Sequence, residues 1–192
     1  MIGIFGRSCS RILAATLLVV FANAQVHAAA SLDASPSRSL WLAPSYQVLF
    51  TDTFVPSAQH GPGLSAGYEF HLTPTFNVGL TLAYRIYPGA QATHQLGYGT
   101  ILKHFFNDQW ASQDGLHPFL DYGLLLQQTF VNGRSGSATS HDTRLGAGAV
   151  VQINGVQLFA CVAGHYSRLQ YFDIKSTWIP YVESQVGWVY AF

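Results

Sequence analysis

Between positions 76 and 87 the side chains alternate without a break between two classes. The even positions carry Phe, Val, Leu, Leu, Tyr and Ile, and the odd positions from 77 to 85 carry Asn, Gly, Thr, Ala and Arg. Successive side chains of a strand point to opposite faces, whereas the faces of a helix repeat about every 3.6 residues. The segment is therefore predicted to be a β-strand with one apolar face and one small or polar face.

The same alternation recurs along the chain and is interrupted by short segments rich in turn-forming residues. Eight candidate strands result, at 40–53, 62–72, 76–87, 94–106, 117–130, 141–153, 155–167 and 181–192. Tight turns are expected at 72–75 and at the Asn-Gly pair 154–155. Longer connections are expected at 55–61, 88–93, 107–116, 131–139 and 168–180. The first strand is the least regular, because Pro44 should lie near its start or at a bulge.

The composition narrows the choice of an all-β architecture. Charged residues make up 9% of the chain and hydrophobic residues 49%, whereas about 25% of the residues in a soluble domain are charged. No apolar run of about 20 residues follows the first thirty positions, so no transmembrane helix is expected. The alternatives are a soluble sandwich with a large apolar patch or a barrel whose outer face contacts lipid. An eight-stranded antiparallel transmembrane β-barrel explains the sequence better, because such barrels have even strand numbers beginning at eight.

The N-terminal region has the pattern of a secretory signal. Arg7 and Arg11 precede a short apolar segment at 12–21, and Ala22, Asn23 and Ala24 form a small-x-small cleavage site. The sequence therefore predicts a signal peptide at 1–24, with cleavage as late as 28 as the alternative. A periplasmic lead-in at 25–38 and a barrel at 39–192 follow, with export through the Sec pathway.

The charge balance, the number of cysteines and the placement of the histidines each argue against a class of function or of fold. Lys plus Arg and Asp plus Glu are both 9, so the net charge of zero gives no reason to expect nucleic acid as a partner. Removal of the signal leaves Cys161 as a single thiol, so an intrachain disulfide is excluded. The histidines His71, His94, His104, His117 and His141 are spread over different strand ends, and neither a metal nor a cofactor is expected.

Most of the charge falls on the polar phase of the predicted strands. We expect Glu69, Arg85, Lys103, Asp121 and Arg144 to face the barrel interior. The interior of an eight-stranded barrel is just wide enough to be filled by side chains. These residues are therefore predicted to form a packed ion-pair network and not to line a pore, so a small-solute channel is disfavoured. The alternative is a set of solvated charges on a soluble sheet.

The last six residues, GWVYAF at 187–192, alternate aromatic and other residues and end on phenylalanine. This stretch resembles the C-terminal signal of Gram-negative outer-membrane barrels, with Trp188, Tyr190 and Phe192 as its aromatics. Together with 118–123 (PFLDYG) and 144–148 (RLGAG), it is most similar to the small OmpA/OmpX-like barrels. The resemblance implies an outer-membrane location and contact with membrane lipid and lipopolysaccharide. It also implies recognition by the barrel-assembly machinery during biogenesis.

One group of three residues suggests a catalytic site. His165 and Ser167 lie on the same face of the seventh strand, and Glu183 lies near the start of the eighth. The stretch resembles the lipid A 3-O-deacylases of the PagL family, which implies Ser167 as nucleophile, His165 as base and Glu183 as the carboxylate that orients it. Arg168 stands where that family has an asparagine.

A non-catalytic interpretation of the same residues places His165 in an aromatic interface belt and Ser167 at the start of a loop. The choice between the two interpretations depends on which face of each strand points into the barrel. If Phe192 faces outward, Glu183 faces inward. On the seventh strand, the sequence allows either face to point inward. The sequence thus favours a non-enzymatic outer-membrane barrel with a structural or surface-interaction role. The alternative is a lipid A deacylase that uses Ser167, His165 and Glu183.

Overall fold

The computed structural model describes residues 37–49, 60–88, 92–109, 115–133, 137–153, 156–171 and 174–192. Within these ranges the chain forms eight strands: β1 Arg38–Leu49, β2 His60–Thr73, β3 Phe76–Tyr87, β4 Thr93–Phe105, β5 Gly115–Val131, β6 Ala138–Ile153, β7 Val156–Tyr171 and β8 Ile174–Ala191. None of the described residues belongs to a helix long and apolar enough to cross a bilayer.

The strands form one closed antiparallel barrel in which each strand pairs with its neighbours in sequence. The barrel closes between β1 and β8, where pairing runs from Ser39 opposite Ala191 to Leu49 opposite Tyr181. The predicted fold class is confirmed. One end, here called the terminal end, holds the start of β1, the end of β8 and the β2–β3, β4–β5 and β6–β7 connections. The opposite end, the loop end, holds the other four connections.

The side chains of each strand alternate between an apolar outer face and a buried inner face. On β3, Leu80 is 60% exposed, while Arg85 is 1% exposed on the opposite face. Leu145 on β6 and Val186 on β8 are likewise exposed, at 64% and 63%. This is the reverse of a soluble protein, because the apolar side chains face outward and the charged ones face inward. Such an outer face suits lipid, and the closed sheet satisfies the backbone hydrogen bonds that lipid cannot.

The β7–β8 hairpin is longer than predicted. The segment 168–180 was expected to be a connection, but β7 continues to Tyr171 and β8 begins at Ile174. Arg168 pairs with Trp178, and a register shift follows before Tyr171 pairs with Ile174. Pairing between adjacent strands stabilises this extension, although Lys175 and Pro180 are individually unfavourable in strands.

Pro44 lies in the middle of β1 and not near its start. It is opposite Leu64 in the continuous β1–β2 ladder. On the other side of β1, pairing with β8 stops after Leu42 and resumes at Ser45. Proline has no N–H to donate, so a local gap in one ladder accommodates it.

Several predictions fall on parts of the chain outside the described residues. The signal peptide lies entirely there, as does nearly all of the lead-in at 25–38. The Asn-Gly pair at 154–155 also lies outside the described residues. The predicted tight turn at 72–75 is present, with Pro74 and Thr75 between β2 and β3.

Candidate functional site in the barrel interior

Two groups of polar side chains occupy the barrel interior. The loop-end network consists of Gln47, Arg85, Tyr87, Gln95, Asp121, Gln127, Asp142, Arg144, His165, Tyr181, Glu183 and Gln185. The terminal-end cluster consists of Glu69, Asn77, Lys103 and Gln109, which lie near rings of the hydrophobic core. All five charged residues that the sequence assigns to the interior are buried and belong to one of these two groups.

Two arginines hold the loop-end network together. Arg85 donates to Glu183 Oε1 from Nη2 at 2.8 Å and from Nε at 3.1 Å. Arg144 donates to both carboxylate oxygens of Asp121, at 2.9 and 3.0 Å, and reaches Glu183 Oε2 from Nη1 at 3.2 Å. Arg144 also donates to Gln185 at 3.1 Å. The two-point contact with Asp121 is the strong geometry that a planar guanidinium allows.

Asp142 is the second centre of the loop-end network. Its Oδ2 accepts from Gln127 at 2.8 Å, from the Tyr181 hydroxyl at 2.6 Å and from His165 Nδ1 at 2.7 Å. The imidazole of His165 also stacks on the Tyr181 ring, with 4.3 Å between the centroids. Because an ionised carboxylate only accepts hydrogen bonds, these donors fix its orientation in the interior.

Neutral side chains extend the network across the barrel. Gln95 donates to Gln127 at 2.8 Å, and the Tyr87 hydroxyl contacts both Gln47 and Gln95. With its amide oxygen turned towards Arg85, Gln47 accepts from the guanidinium Nε at 2.6 Å. Side chains of non-adjacent strands therefore meet in the centre and fill it.

The terminal-end cluster is built around one ammonium group. Lys103 Nζ lies 2.5 Å from Glu69 Oε1, and Asn77 donates to the other oxygen of Glu69 at 2.9 Å. The ammonium also lies 4.8 Å from the centroid of Phe119 and 5.8 Å from that of Phe159. Aromatic faces attract a cation, and they do so more strongly where water is excluded. The cluster combines an ion pair with cation–π contacts.

A cavity lies beside this cluster, between Glu69, Lys103, His71 and His117 and their neighbours. Its volume is about 10 Å³, which is close to the space that a single water molecule needs. His117 Nε2 is buried nearby without a hydrogen-bond partner among the described residues. The cavity is large enough to hydrate such a group and too small for an organic substrate.

The structure brings together only part of the proposed triad. His165 Nε2 lies 3.2 Å from Glu183 Oε2, so these two side chains converge. The other ring nitrogen, Nδ1, is hydrogen-bonded to Asp142. The Ser167 hydroxyl is buried and has no hydrogen-bond partner among the described residues. Both nitrogens of the imidazole therefore face carboxylates, and neither is hydrogen-bonded to the serine.

Strand phase explains this placement. On β7, Leu158 and Val162 are exposed, whereas Phe159 and Cys161 are buried. Of the two phases that the sequence leaves open, this one turns His165 and Ser167 inward together with Glu183. The three residues thus face the filled interior and not the lipid. On β8 the same alternation leaves Trp188, one of the assembly-signal aromatics, 57% exposed on the outer face.

Sequence reasoning missed Asp142 and Tyr181. Asp142 precedes Arg144 by two residues and so shares its inward phase, a signal that was present in the sequence. Tyr181 gave no comparable signal, because tyrosine near a strand end is also typical of an interface belt. Within the described part of the chain, no three His, Cys, Asp or Glu side chains are arranged to hold a metal ion.

The closed eight-stranded sheet, the apolar outer face and the polar, packed interior define an eight-stranded transmembrane β-barrel fold. No family model matches the chain, and no curated protein gives a significant match in sequence. Comparison with solved structures supports the class. Neisserial surface protein A (NspA) is similar with a TM-score of 0.61 and 12% identity, over 81% of this chain and 97% of that one.

Two further structures are similar over most of their length. The outer membrane protein OprG from Pseudomonas aeruginosa has a TM-score of 0.53 and 10% identity, covering 84% of this chain and 99% of that one. The outer membrane enzyme PagL has a TM-score of 0.46 and 15% identity, covering 78% and 97%. At these identities the likeness to NspA and OprG is one of fold, and the likeness to PagL is too low to bear on activity.

Proposed function

We propose that the protein is a non-enzymatic barrel of the Gram-negative outer membrane, with a structural or surface-interaction role in the envelope. The observation that carries this proposal is the loop-end network, in which the charged groups bind one another. Arg85 and Arg144 are both bound to Glu183, and Arg144 is also bound to Asp121. Charges that are paired with one another favour a packed interior over a channel or a free reactive group.

Outer-membrane insertion is part of the proposal. The chain would be exported through the Sec pathway and folded by the barrel-assembly machinery, which would recognise Trp188, Tyr190 and Phe192. The exposed apolar side chains on the outer face would then contact membrane lipid and lipopolysaccharide. The loop end would face the cell exterior, and the opposite end, where β1 begins and β8 ends, would face the periplasm.

Fractionation of cells that produce the protein tests this proposal. We expect the chain in the outer-membrane fraction, and we expect a cysteine introduced at Asn132 or Gly133, in the β5–β6 connection, to react with an impermeant maleimide in intact cells. A cysteine introduced at Thr75, in the β2–β3 turn, is the matched control and should react only after the cells are opened. Recovery of the chain in the soluble fraction, or the reverse labelling pattern, would contradict the proposal.

The second hypothesis is a lipid A 3-O-deacylase with Ser167 as nucleophile, His165 as base and Glu183 as the orienting carboxylate. The approach of His165 to Glu183 favours it. Against it, the base is hydrogen-bonded to Asp142, and a nucleophile needs its base within hydrogen-bond reach. An acyl ester in the membrane leaflet would also have to reach residues that face the barrel interior.

Mass spectrometry of lipid A separates the two hypotheses. Lipid A would be compared between cells that produce the native protein and cells that produce Ser167→Ala at an equal level. We expect the same lipid A in both, because the proposed role involves no ester hydrolysis. Loss of a hydroxyacyl chain only with the native serine would establish the deacylase.

A further inference from the structure

Among the described residues, the arginine, lysine, histidine, aspartate and glutamate side chains on the outer face of the barrel are all basic. Four of the acidic residues in the described ranges, Glu69, Asp121, Asp142 and Glu183, are buried inside the barrel. The fifth, Asp108, lies in the connection between β4 and β5. By contrast, the outward positions of the described strands carry histidine and arginine: His60, His94, His141 and Arg168 near the loop end, and Arg38 and His104 near the terminal end.

Two of these histidines are held in the same arrangement. His60 Nδ1 is hydrogen-bonded to the Tyr46 hydroxyl at 2.7 Å, and the rings stack with centroids 5.8 Å apart. His94 Nδ1 is hydrogen-bonded to the Tyr84 hydroxyl, also at 2.7 Å, with centroids 6.1 Å apart. We call these two tyrosine–histidine contacts the outer pairs.

The strand register explains why the arrangement repeats. His60 lies opposite Val48, and Tyr46 lies two residues from Val48 towards the terminal end. Likewise, His94 lies opposite Ile86, and Tyr84 lies two residues from it in the same direction. Each outer pair is thus a diagonal cross-strand contact on the lipid-facing side of a hairpin, within reach of long side chains.

The hydrogen bond to tyrosine defines what each histidine can offer to a ligand. Because Nδ1 is engaged by the hydroxyl, Nε2 is the nitrogen that remains available. When the hydroxyl donates to Nδ1, the neutral ring carries its proton on Nε2, and a protonated ring carries one there as well. In these two states the outer pair presents an N–H donor on a stacked ring, whereas the neutral tautomer that donates from Nδ1 to the hydroxyl would present an acceptor at Nε2.

We propose that the outer pairs, together with His141 and Arg168, bind the phosphate groups of lipid headgroups in the leaflet around the loop end. Arg168 lies opposite His141 in the β6–β7 ladder, and both face outward. N–H donors on cationic or ionisable side chains are complementary to phosphate, and the outward positions of the described strand residues carry no acidic side chain. The inference rests on the proposed insertion in the outer membrane and names the lipid chemistry that the barrel binds there.

The apolar residues beside the outer pairs favour a lipid over free phosphate. Val48, Leu64 and Ile86 are exposed on the same face, next to the outer pairs. A lipid whose acyl chains lie along this surface holds its headgroup near the histidines, so its phosphate is present at a high effective concentration. Inorganic phosphate lacks that advantage and remains hydrated.

The test uses the folded chain in phosphatidylcholine nanodiscs that also contain equal amounts of phosphatidic acid and diacylglycerol. These two lipids differ in the phosphate monoester, and native mass spectrometry counts which of them stays bound to the released barrel. We expect the native chain to retain phosphatidic acid preferentially. His60→Gln combined with His94→Gln should lower that preference about fivefold, as expected for the loss of two partly exposed polar contacts.

Matched variants make the result specific. His104→Gln changes a histidine on the same outer face at the terminal end, and it should leave the preference unchanged. Tyr46→Phe combined with Tyr84→Phe keeps the aromatic rings and removes only the hydroxyls. This double variant tests the outer pairs even if the histidine variants fold poorly. It should also lower the preference for phosphatidic acid over diacylglycerol.

Three results would overturn the inference. They are an unchanged preference in both double variants, an equal loss in His104→Gln, and displacement of phosphatidic acid by millimolar inorganic phosphate. Because nanodiscs fix the membrane environment, each of these results is independent of where the protein is found in the cell. Failure of the proposed location would appear in the fractionation experiment instead.

Discussion

Arg85 on β3 and Glu183 on β8 are joined across the barrel interior by two hydrogen bonds, although β2 and β1 separate their strands in the sheet. The pair therefore links strands that are three positions apart around the barrel and not neighbouring strands. Glu183 is fully buried and also lies 3.2 Å from Arg144, so one carboxylate compensates two guanidinium groups. The contribution of this arrangement to stability can be measured directly.

Replacement of Glu183 by Gln should strongly destabilise the barrel. The amide keeps the shape of the side chain but leaves Arg85 without its carboxylate, and removal of one partner from a buried ion pair costs about 3–5 kcal/mol. We expect a loss of this size in the free energy of unfolding, measured by urea titration in lipid vesicles with tryptophan fluorescence. Asp108→Asn makes the same chemical change on an exposed side chain and should cost less than about 1 kcal/mol. Equal losses in the two variants would contradict this role for Glu183.

Most of the fold could be predicted because the relevant signal is local. The period of two along β3 gave the bounds Phe76–Tyr87 that the structure has, and the apolar phase of the other strands gave the outer face. The extension of β7 and β8 through 168–180 could not be read in the same way. There, cross-strand pairing within the hairpin, such as Arg168 opposite Trp178, outweighs residues that individually favour a connection.

The sequence predicts which side chains face the barrel interior, but it does not predict which of them contact one another. The polar phase identifies Arg85 and Asp121 as inward residues, but which side chains meet depends on how the closed sheet staggers its strands. That stagger brings Arg85 to Glu183 and His165 to Asp142. The interpretation of His165 as a catalytic base depended on the phase of β7, which the sequence leaves open because both faces of that strand are apolar.

The terminal-end cluster predicts a compensating pair of substitutions. Lys103→Met retains the packing against Phe119 but leaves Glu69 as a buried carboxylate without its ion-pair partner, so we expect a loss of about 3 kcal/mol in the free energy of unfolding. Adding Glu69→Gln removes the uncompensated charge, and the double variant should recover at least half of that loss. The measurement is again urea unfolding in vesicles. If the losses of the two single variants simply add, Lys103 and Glu69 are not coupled.

Gly67 gives a prediction about packing inside the barrel. It lies opposite Trp41 in the β1–β2 ladder, and a Cβ atom at this position would overlap the indole ring. Gly67→Ala should therefore destabilise the barrel by about 1–3 kcal/mol, the usual cost of overpacking. Gly97→Ala is the matched control, because its added Cβ would be no closer than 3.4 Å to another heavy atom. The two variants are compared by the fraction of the chain that retains the folded, heat-modifiable mobility in gels. A Gly67→Ala barrel as stable as the Gly97→Ala control would show that the added methyl group does not collide with Trp41.

Electrical recording tests whether the interior is closed. Tyr87, Gln95 and Gln127 form a hydrogen-bonded chain inside the barrel, and Gln127 also donates to Tyr181 at 2.5 Å. An ion that crosses the barrel would have to break these contacts and pass the bound guanidinium groups, and an eight-stranded barrel has no spare width around them. We expect no stable unitary conductance when the folded protein is added to a planar bilayer, under conditions in which a trimeric porin gives clear steps. Reproducible steps from the purified barrel would contradict the prediction, and they would mean that the interior side chains rearrange far enough to open a continuous water path.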